Sequence, residues 1–168
     1  MQSIIQIRTS IRIYKSRLIS QEDINTILQS AILAPSAKNL QPWRFVVVQQ
    51  DKALIQSISN LVTHSKFIKT ADCLICVFLD KTDAFDYTKD CQSIGACIEN
   101  MLLTATSLGI GSCWIGEILE RQTELKDMLQ IDRSCYDLMA VISLGYPLRE
   151  IKTKTPRKPL SECVLAYK

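Results

Sequence analysis

The chain has 168 residues, of which 47% are hydrophobic and 22% charged, and its net charge is +3 at neutral pH. That suits a single domain over residues 1–168 with its own core, and it excludes a disordered chain and gives no case for a nucleic-acid surface. Seven cysteines, an odd number, with no secretory leader and no apolar run long enough for a bilayer, fit a reduced cytoplasmic protein without nucleic-acid or membrane partners.

Residues 2–8 read as a short helical lead-in to RTSIRIY. Ser20 then caps a helix with Glu22 and Asp23 in its first turn, where the helix dipole favours acids. Ile24, Ile27, Leu28, Ala31 and Ile32 make its apolar stripe, which ends near Ala34. The stretch APSAKNLQPWRFVVV at 34–48 is too rich in amides and prolines for a plain connector: Ser36, Asn39 and Gln41 offer donors and acceptors, and Pro35 and Pro42 stiffen the path. Such a set suits the rim of a planar heterocycle. Trp43 is expected to anchor in the core the entry to a strand over 45–48.

Asp51 caps a further helix, striped by Leu54, Ile55, Ile58, Leu61 and Val62. The continuous apolar run from Cys73 to Leu79 predicts a central strand covered on both faces. Within it Cys73 and Cys76 form a C-x-x-C, but residues three apart in a strand face opposite sides. No second pair follows and His64 is the only histidine, so these cysteines read as buried thiols rather than a zinc site.

Residues 90–108 predict the longest helix, apolar around most of its circumference, which points to burial inside the domain or, the favoured reading, at a dimer seam. Strands are expected over 109–118 and 138–144, with a short helix over 123–129 between them. The glycines of GIGSCWIGEI end a helix and open a strand, the reverse of a dinucleotide loop, so Gly109 reads as a helix C-cap. Gly116, at the far end of that strand, can let backbone approach a flat ligand. Trp114 is explained equally well by core packing and by stacking on a ligand. The tail beyond Arg149 is polar and has too few apolar residues for a core of its own.

In RTSIR, Arg8 and Arg12 are four apart with Ser10 between them; a helical or tightly turned segment puts both guanidinium groups on one face. Two guanidinium groups and a hydroxyl suit a phosphate dianion, and a solvated basic face is the plainer alternative.

Taken in order, RTSIRIY, APSAKNLQPWRFVVV, SIGACIENMLLTATSLGIGSCWIGEI, LGYP and PRKPLSE resemble the FMN-dependent nitroreductase family over nearly the whole chain. The resemblance implies an α+β fold with a small mixed or antiparallel central sheet flanked by helices. It also implies a homodimer in which the C-terminal tail embraces the partner and FMN lies at the subunit interface. The implied chemistry is ping-pong hydride transfer from NADH or NADPH to a small oxidised acceptor such as a nitroaromatic or quinone.

By position, the resemblance assigns Arg8, Thr9, Ser10 and Arg12 to the phosphate and ribityl chain, with Thr9 standing where the family often has Arg or His. It sets Pro35, Ser36, Ala37 and Asn39 against the isoalloxazine of the FMN held mainly by the other subunit; at Ala37 many relatives have a second serine. Ile115, Gly116 and Glu117 bring backbone amides to flavin N5 and O4, and Arg157, helped by Lys158, returns to the phosphate. Lys66 is the expected cation near N1 and O2, and no side chain is assigned to proton transfer or to a metal. With only residues 80–90 available as a lid, an open and poorly selective pocket is expected. The alternatives are a flavin sensor or store with little turnover, other flavin chemistry of the same fold (dehalogenation, azoline oxidation, flavin fragmentation), and a plain interaction domain.

Overall fold

The computed structural model describes residues 3–82, 84–149 and 156–168, so Asp83 in the expected lid and the start of the tail, 150–155, lie outside the described residues. Helix α1 (Ile4–Ile7) opens with a capping box between Ser3 and Gln6. Helix α2 (Gln21–Ala31) starts where Ser20 accepts from the Asp23 N–H at 3.0 Å, and it buries Ile24, Ile27 and Ala31. Strand β1 (Trp43–Gln49) leads to α3 (Lys52–Ser59), capped by Asp51, then to the single-turn α4 (Lys66–Lys69). Strand β2 (Cys73–Asp80) precedes the long α5 (Tyr87–Ser107) and β3 (Gly111–Ile115). Helix α6 (Gln122–Met128), β4 (Tyr136–Gly145) and the short α7 (Leu160–Cys163) complete the order.

The four strands lie in the order β1-β2-β4-β3, and all three pairings are antiparallel. The fold is α+β, as the sequence predicts. Strand β2 is paired on both edges and buried at all eight residues, which is why its sequence shows no polar alternation. Its odd residues Cys73, Ile75, Val77 and Leu79 join a core with α2 and α5, while Leu74, Cys76 and Phe78 join a second core with α3, α4 and α6. Cys73 and Cys76 therefore face opposite layers, and burial pushes both thiols up to about 12. Trp43 sits in the first core at 5% exposure, as expected of an anchor. Trp114 is 42% exposed on β3, so of its two readings core packing is excluded within this chain.

Helix α5 buries Ile94, Cys97, Ile98, Met101, Leu102 and Ala105 against α2 and the sheet, but it is not buried all round: Gln92 is exposed, and Gly95, Ala96, Glu99 and Leu103 are half-exposed. Gly109 ends the connection after α5 with φ +71°, and the Ile110 N–H reaches back to the Ala105 carbonyl at 2.8 Å, so the C-cap reading holds.

The N-terminal segment is the element that the sequence placed least well. Ser10–Tyr14 is neither helix nor tight turn but extended chain laid against the sheet edge, bridging Ser10 to Ser112 in parallel and Tyr14 to Pro147. The Ile11 N–H donates to the Ser112 carbonyl at 2.8 Å and the Lys15 N–H to that of Tyr146 at 2.7 Å. Contact this close needs glycine on the sheet side. A Cβ on Gly111 would lie 2.8 Å from Ile11, and one on Gly145 would lie 2.6 Å from the Tyr14 ring. The Tyr14 hydroxyl, donating to the Ile11 carbonyl at 2.6 Å and 2.9 Å from Ser143 Oγ, locks the segment down.

Candidate functional site

Extended chain alternates its side chains, so Arg8, Ser10 and Arg12 share one side of the segment by the strand period rather than the helical one. They meet around Cys113 on β3. Burial raises the Cys113 thiol, and the Arg12 charge, a hydrogen bond with Ser10 and the Arg8 charge pull against it. Arg12 carries its guanidinium 5.4 Å from the Phe67 ring centre on α4, and Arg8 Nε lies 3.9 Å from Glu99 on α5. Ser10 and Arg12 line a cleft of about 370 Å³ with Ile13, Leu148 and Arg149. Thr9 lines an adjoining cleft with Ile7, Gly109 and Thr106, which shares Ile11 and Arg149 with the first.

One strand residue beyond Cys113 and Trp114, β3 gives way to the turn at Gly116. Glycine there is required by nothing among the described residues: its φ is −91° and an added Cβ would meet none of their atoms within 4 Å. The N–H groups of Gly116 and Glu117 have no acceptor among the described residues. The turn thus presents open backbone and two free donors, the surface that a flat ring edged with acceptors can approach.

The Glu117 side chain faces away to tie down the residues before α4. It accepts from the Thr63 N–H at 2.7 Å and lies 3.7 Å from His64 Nδ1. Hydrogen bonding from Thr63 holds the Glu117 carboxyl below its ordinary range; burial opposes this, and His64 adds to it. His64 stacks on Phe67 with ring centres 5.3 Å apart. A continuous chain of contacts, Glu117 to His64 to Phe67 to Arg12, therefore joins the Gly116 turn to the arginine cluster. Lys66 is exposed at the start of α4, beside Phe67 in sequence. His64 and Phe67 were not singled out from sequence; their spacing of three signals a shared helical face only once α4 is recognised.

The loop at 34–42 is held in an unusual shape. Lys38, Asn39 and Gln41 all have positive φ, between 52° and 56°, a conformation that costs non-glycine residues energy. Internal bonds hold it: Ser36 Oγ accepts from the Gln41 N–H at 3.0 Å and the Gln41 amide donates to the Asn39 carbonyl at 3.1 Å. The Asn39 side chain is exposed and makes no hydrogen bond among the described residues. Lys38 sits 3.6 Å above the ring of Phe85, one of two aromatic residues in the 80–90 segment. Pro35, Ser36 and Ala37 open on a cleft of about 320 Å³ against Lys89, Gln92 and Ala96 of α5, sharing no lining residue with the Ser10–Arg12 cleft.

One chain thus brings together Arg8, Ser10 and Arg12, and links them through α4 to Ile115, Gly116 and Glu117. It leaves the 34–42 loop on the exposed face of α5. Arg157 and Lys158 are exposed, with Arg157 donating to the Pro156 carbonyl.

Comparison with known proteins bears on the family and the fold. The Nitroreductase family profile matches residues 5–65 and 60–146. A protein of Archaeoglobus fulgidus, named as a candidate NADH dehydrogenase/NAD(P)H nitroreductase, is 42% identical over 149 residues, 87% of this chain and 84% of that one. The solved structure of a candidate nitroreductase in complex with FMN from Desulfovibrio desulfuricans superimposes with a TM-score of 0.93 at 33% identity, covering 98% of this chain and 95% of the other. An FMN-dependent nitroreductase from Clostridium difficile R20291 gives 0.81 at 29% identity over 92% of both chains.

Proposed function

Because the chain belongs to the nitroreductase family, we propose that it is an FMN-dependent oxidoreductase that takes hydride from NADH or NADPH and reduces a small oxidised acceptor, such as a nitroaromatic or quinone, in a ping-pong cycle. The observation that carries this reading is the pairing of the Arg8, Ser10 and Arg12 cluster with the open Gly116 turn, joined through α4. When bound, FMN supplies the hydride chemistry; the protein binds, orients and shields it.

In this reading Arg8 and Arg12 take the phosphate by charge-assisted bonds, with Ser10 adding a hydroxyl and Thr9 acting through its backbone. The free N–H groups of Gly116 and Glu117 orient the ring by its acceptor edge. Lys66, carried on the same turn as Phe67, would supply positive charge toward the bound ring and so favour negative charge on it. Arg157 and Lys158 reach the phosphate end from the tail.

The working unit of this proposal is a homodimer. The half-exposed face of α5, Gly95, Ala96, Glu99 and Leu103, is its seam, and Pro35, Ser36, Ala37 and Asn39 cross it to face the partner's flavin ring. The strained loop suits that task, since a loop held at three left-handed residues is preorganised rather than flexible. The tail, with Leu165 and Tyr167 exposed, wraps the partner. Arg8→Ala tests the clamp: it should lose FMN on gel filtration while eluting as a dimer. Full retention of FMN by that variant would remove Arg8 from the site.

A further inference from the structure

Beyond Tyr14 the chain turns at Lys15–Leu18 and crosses the end of the sheet where β1 stops and β2 starts. There, between this turn, the first residue of α3 and the residues that follow α4, lies a cleft of about 420 Å³ lined by Lys15, Arg17, Lys52, Lys69, Thr70 and Asp72 among others. Asp72 forms its floor and is 7% exposed. Its carboxylate is already committed: Oδ2 accepts from the Ile19 N–H at 2.8 Å and from the Gln49 amide at 3.0 Å, and Oδ1 lies 3.4 Å from Lys52 Nζ.

Asp72 therefore offsets Lys52 and leaves Lys15, Arg17 and Lys69 uncompensated. None of these three has a carboxylate within ion-pair distance among the described residues. Arg17 is also held in position, its guanidinium carbon 3.8 Å from the centre of the Tyr146 ring. Stacking fixes the guanidinium plane and leaves its N–H edges for an acceptor. The Thr70 hydroxyl, which accepts from the Tyr14 N–H at 3.3 Å, keeps its own hydrogen to donate.

We propose that this cleft is a second binding site, for the phosphoryl group of a phosphorylated small molecule. A stacked guanidinium supplies paired donors for phosphate oxygens, and two lysines lining the same cleft supply point charges, whose field a cleft concentrates. The volume falls within the range of small-molecule pockets and exceeds what one phosphate fills, so the ligand carries a body beyond its phosphate. The cleft shares no lining residue with the Ser10–Arg12 cleft, and the proposal stands whether or not that cleft holds FMN.

The test is calorimetric titration with inorganic pyrophosphate at physiological salt, on the wild type, on Arg17→Ala/Lys69→Ala and on Arg8→Ala/Arg12→Ala, each checked for a native melting transition. The site predicts binding by the wild type, a loss of about ten-fold or more in Arg17→Ala/Lys69→Ala, and a change of under about three-fold in Arg8→Ala/Arg12→Ala. If the first double variant fails to fold, the exposed single changes Lys15→Gln and Lys69→Gln, each expected to weaken binding about three-fold, take its place. Titration with adenosine diphosphate beside free pyrophosphate tests for the body: tighter binding of the former supports a ligand that carries one, and equal binding overturns that part of the proposal. Absence of binding by the wild type, or equal losses in the two double variants, overturns the proposal.

Discussion

Gly116→Ala separates the demands of the fold from the demands of the ligand. In the free chain the added methyl has room, since no atom of the described residues lies within 4 Å of the place a Cβ would take, and the backbone at φ −91° and ψ −26° is one that alanine adopts freely. Loss of glycine's freedom in the unfolded chain then stabilises the protein by about 0.4–1 kcal/mol. For a chain of this size that raises the melting temperature by roughly 1–4 °C. Against a flat ring seated on the same backbone, the methyl acts as overpacking and costs about 1–3 kcal/mol. The expected loss of FMN affinity is therefore roughly 5- to 150-fold. Differential scanning calorimetry of the apoprotein and fluorescence titration with FMN read the two effects independently. Unchanged FMN affinity in a variant that melts at or above the wild-type temperature would refute the assignment of this turn to the ring, and a lower melting temperature would show that glycine serves the fold after all.

Gly145, at the end of β4 against Tyr14, behaves oppositely: Gly145→Ala drives a methyl to 2.6 Å from the Tyr14 ring, and the melting temperature should fall by several degrees, about 1–3 kcal/mol of overpacking. Tyr14→Phe removes the hydroxyl from the Ile11 carbonyl and Ser143, should cost about 1–3 kcal/mol by chemical denaturation, and should loosen FMN binding because the segment carrying Arg12 is no longer pinned. Glu117 has a depressed carboxyl, so its hold on Thr63 is complete above the ordinary glutamate range and is lost only as pH falls through the lowered value. Protection of the Thr63 amide, its exchange rate relative to that of a free amide at the same pH, should thus stay high at neutral pH and fall in the acid range, and Glu117→Gln should lower it at neutral pH. Among the cysteines, burial pushes Cys73, Cys76 and Cys97 up to about 12, so in native protein at pH 8 alkylation followed by mass spectrometry should find Cys163, which is exposed, modified first and those three unmodified.

What could be read from the sequence followed from local and periodic signals. Ser20 and Asp51 announced their helices because N-caps act within three residues, and the unbroken apolar run at β2 announced a strand covered on both faces. The readings that failed depend on distant partners. RTSIRIY carries an arginine spacing that suits a helix, and only the glycines at 111 and 145, a hundred residues on, let it lie extended against the sheet. The common side of Arg8, Ser10 and Arg12 survived for a different reason, because even-numbered residues coincide in a strand. Trp114 is large and apolar, yet an edge strand leaves it half out of the core. The link through His64 and Phe67 rests on a single helical turn too short to leave a periodic pattern. The loop around Ala37 is held by Ser36 and Gln41, two residues whose side chains read in sequence as donors and acceptors for a ligand.

The proposed function requires a bound flavin that cycles, and the visible spectrum of the purified protein under anaerobic conditions tests this directly. The prediction is a yellow protein, or one that becomes yellow on adding FMN, which is bleached by NADH or NADPH and recovers its colour when a quinone or nitroaromatic is added. A protein that takes up no FMN, or that holds FMN and is bleached by neither nicotinamide, contradicts it.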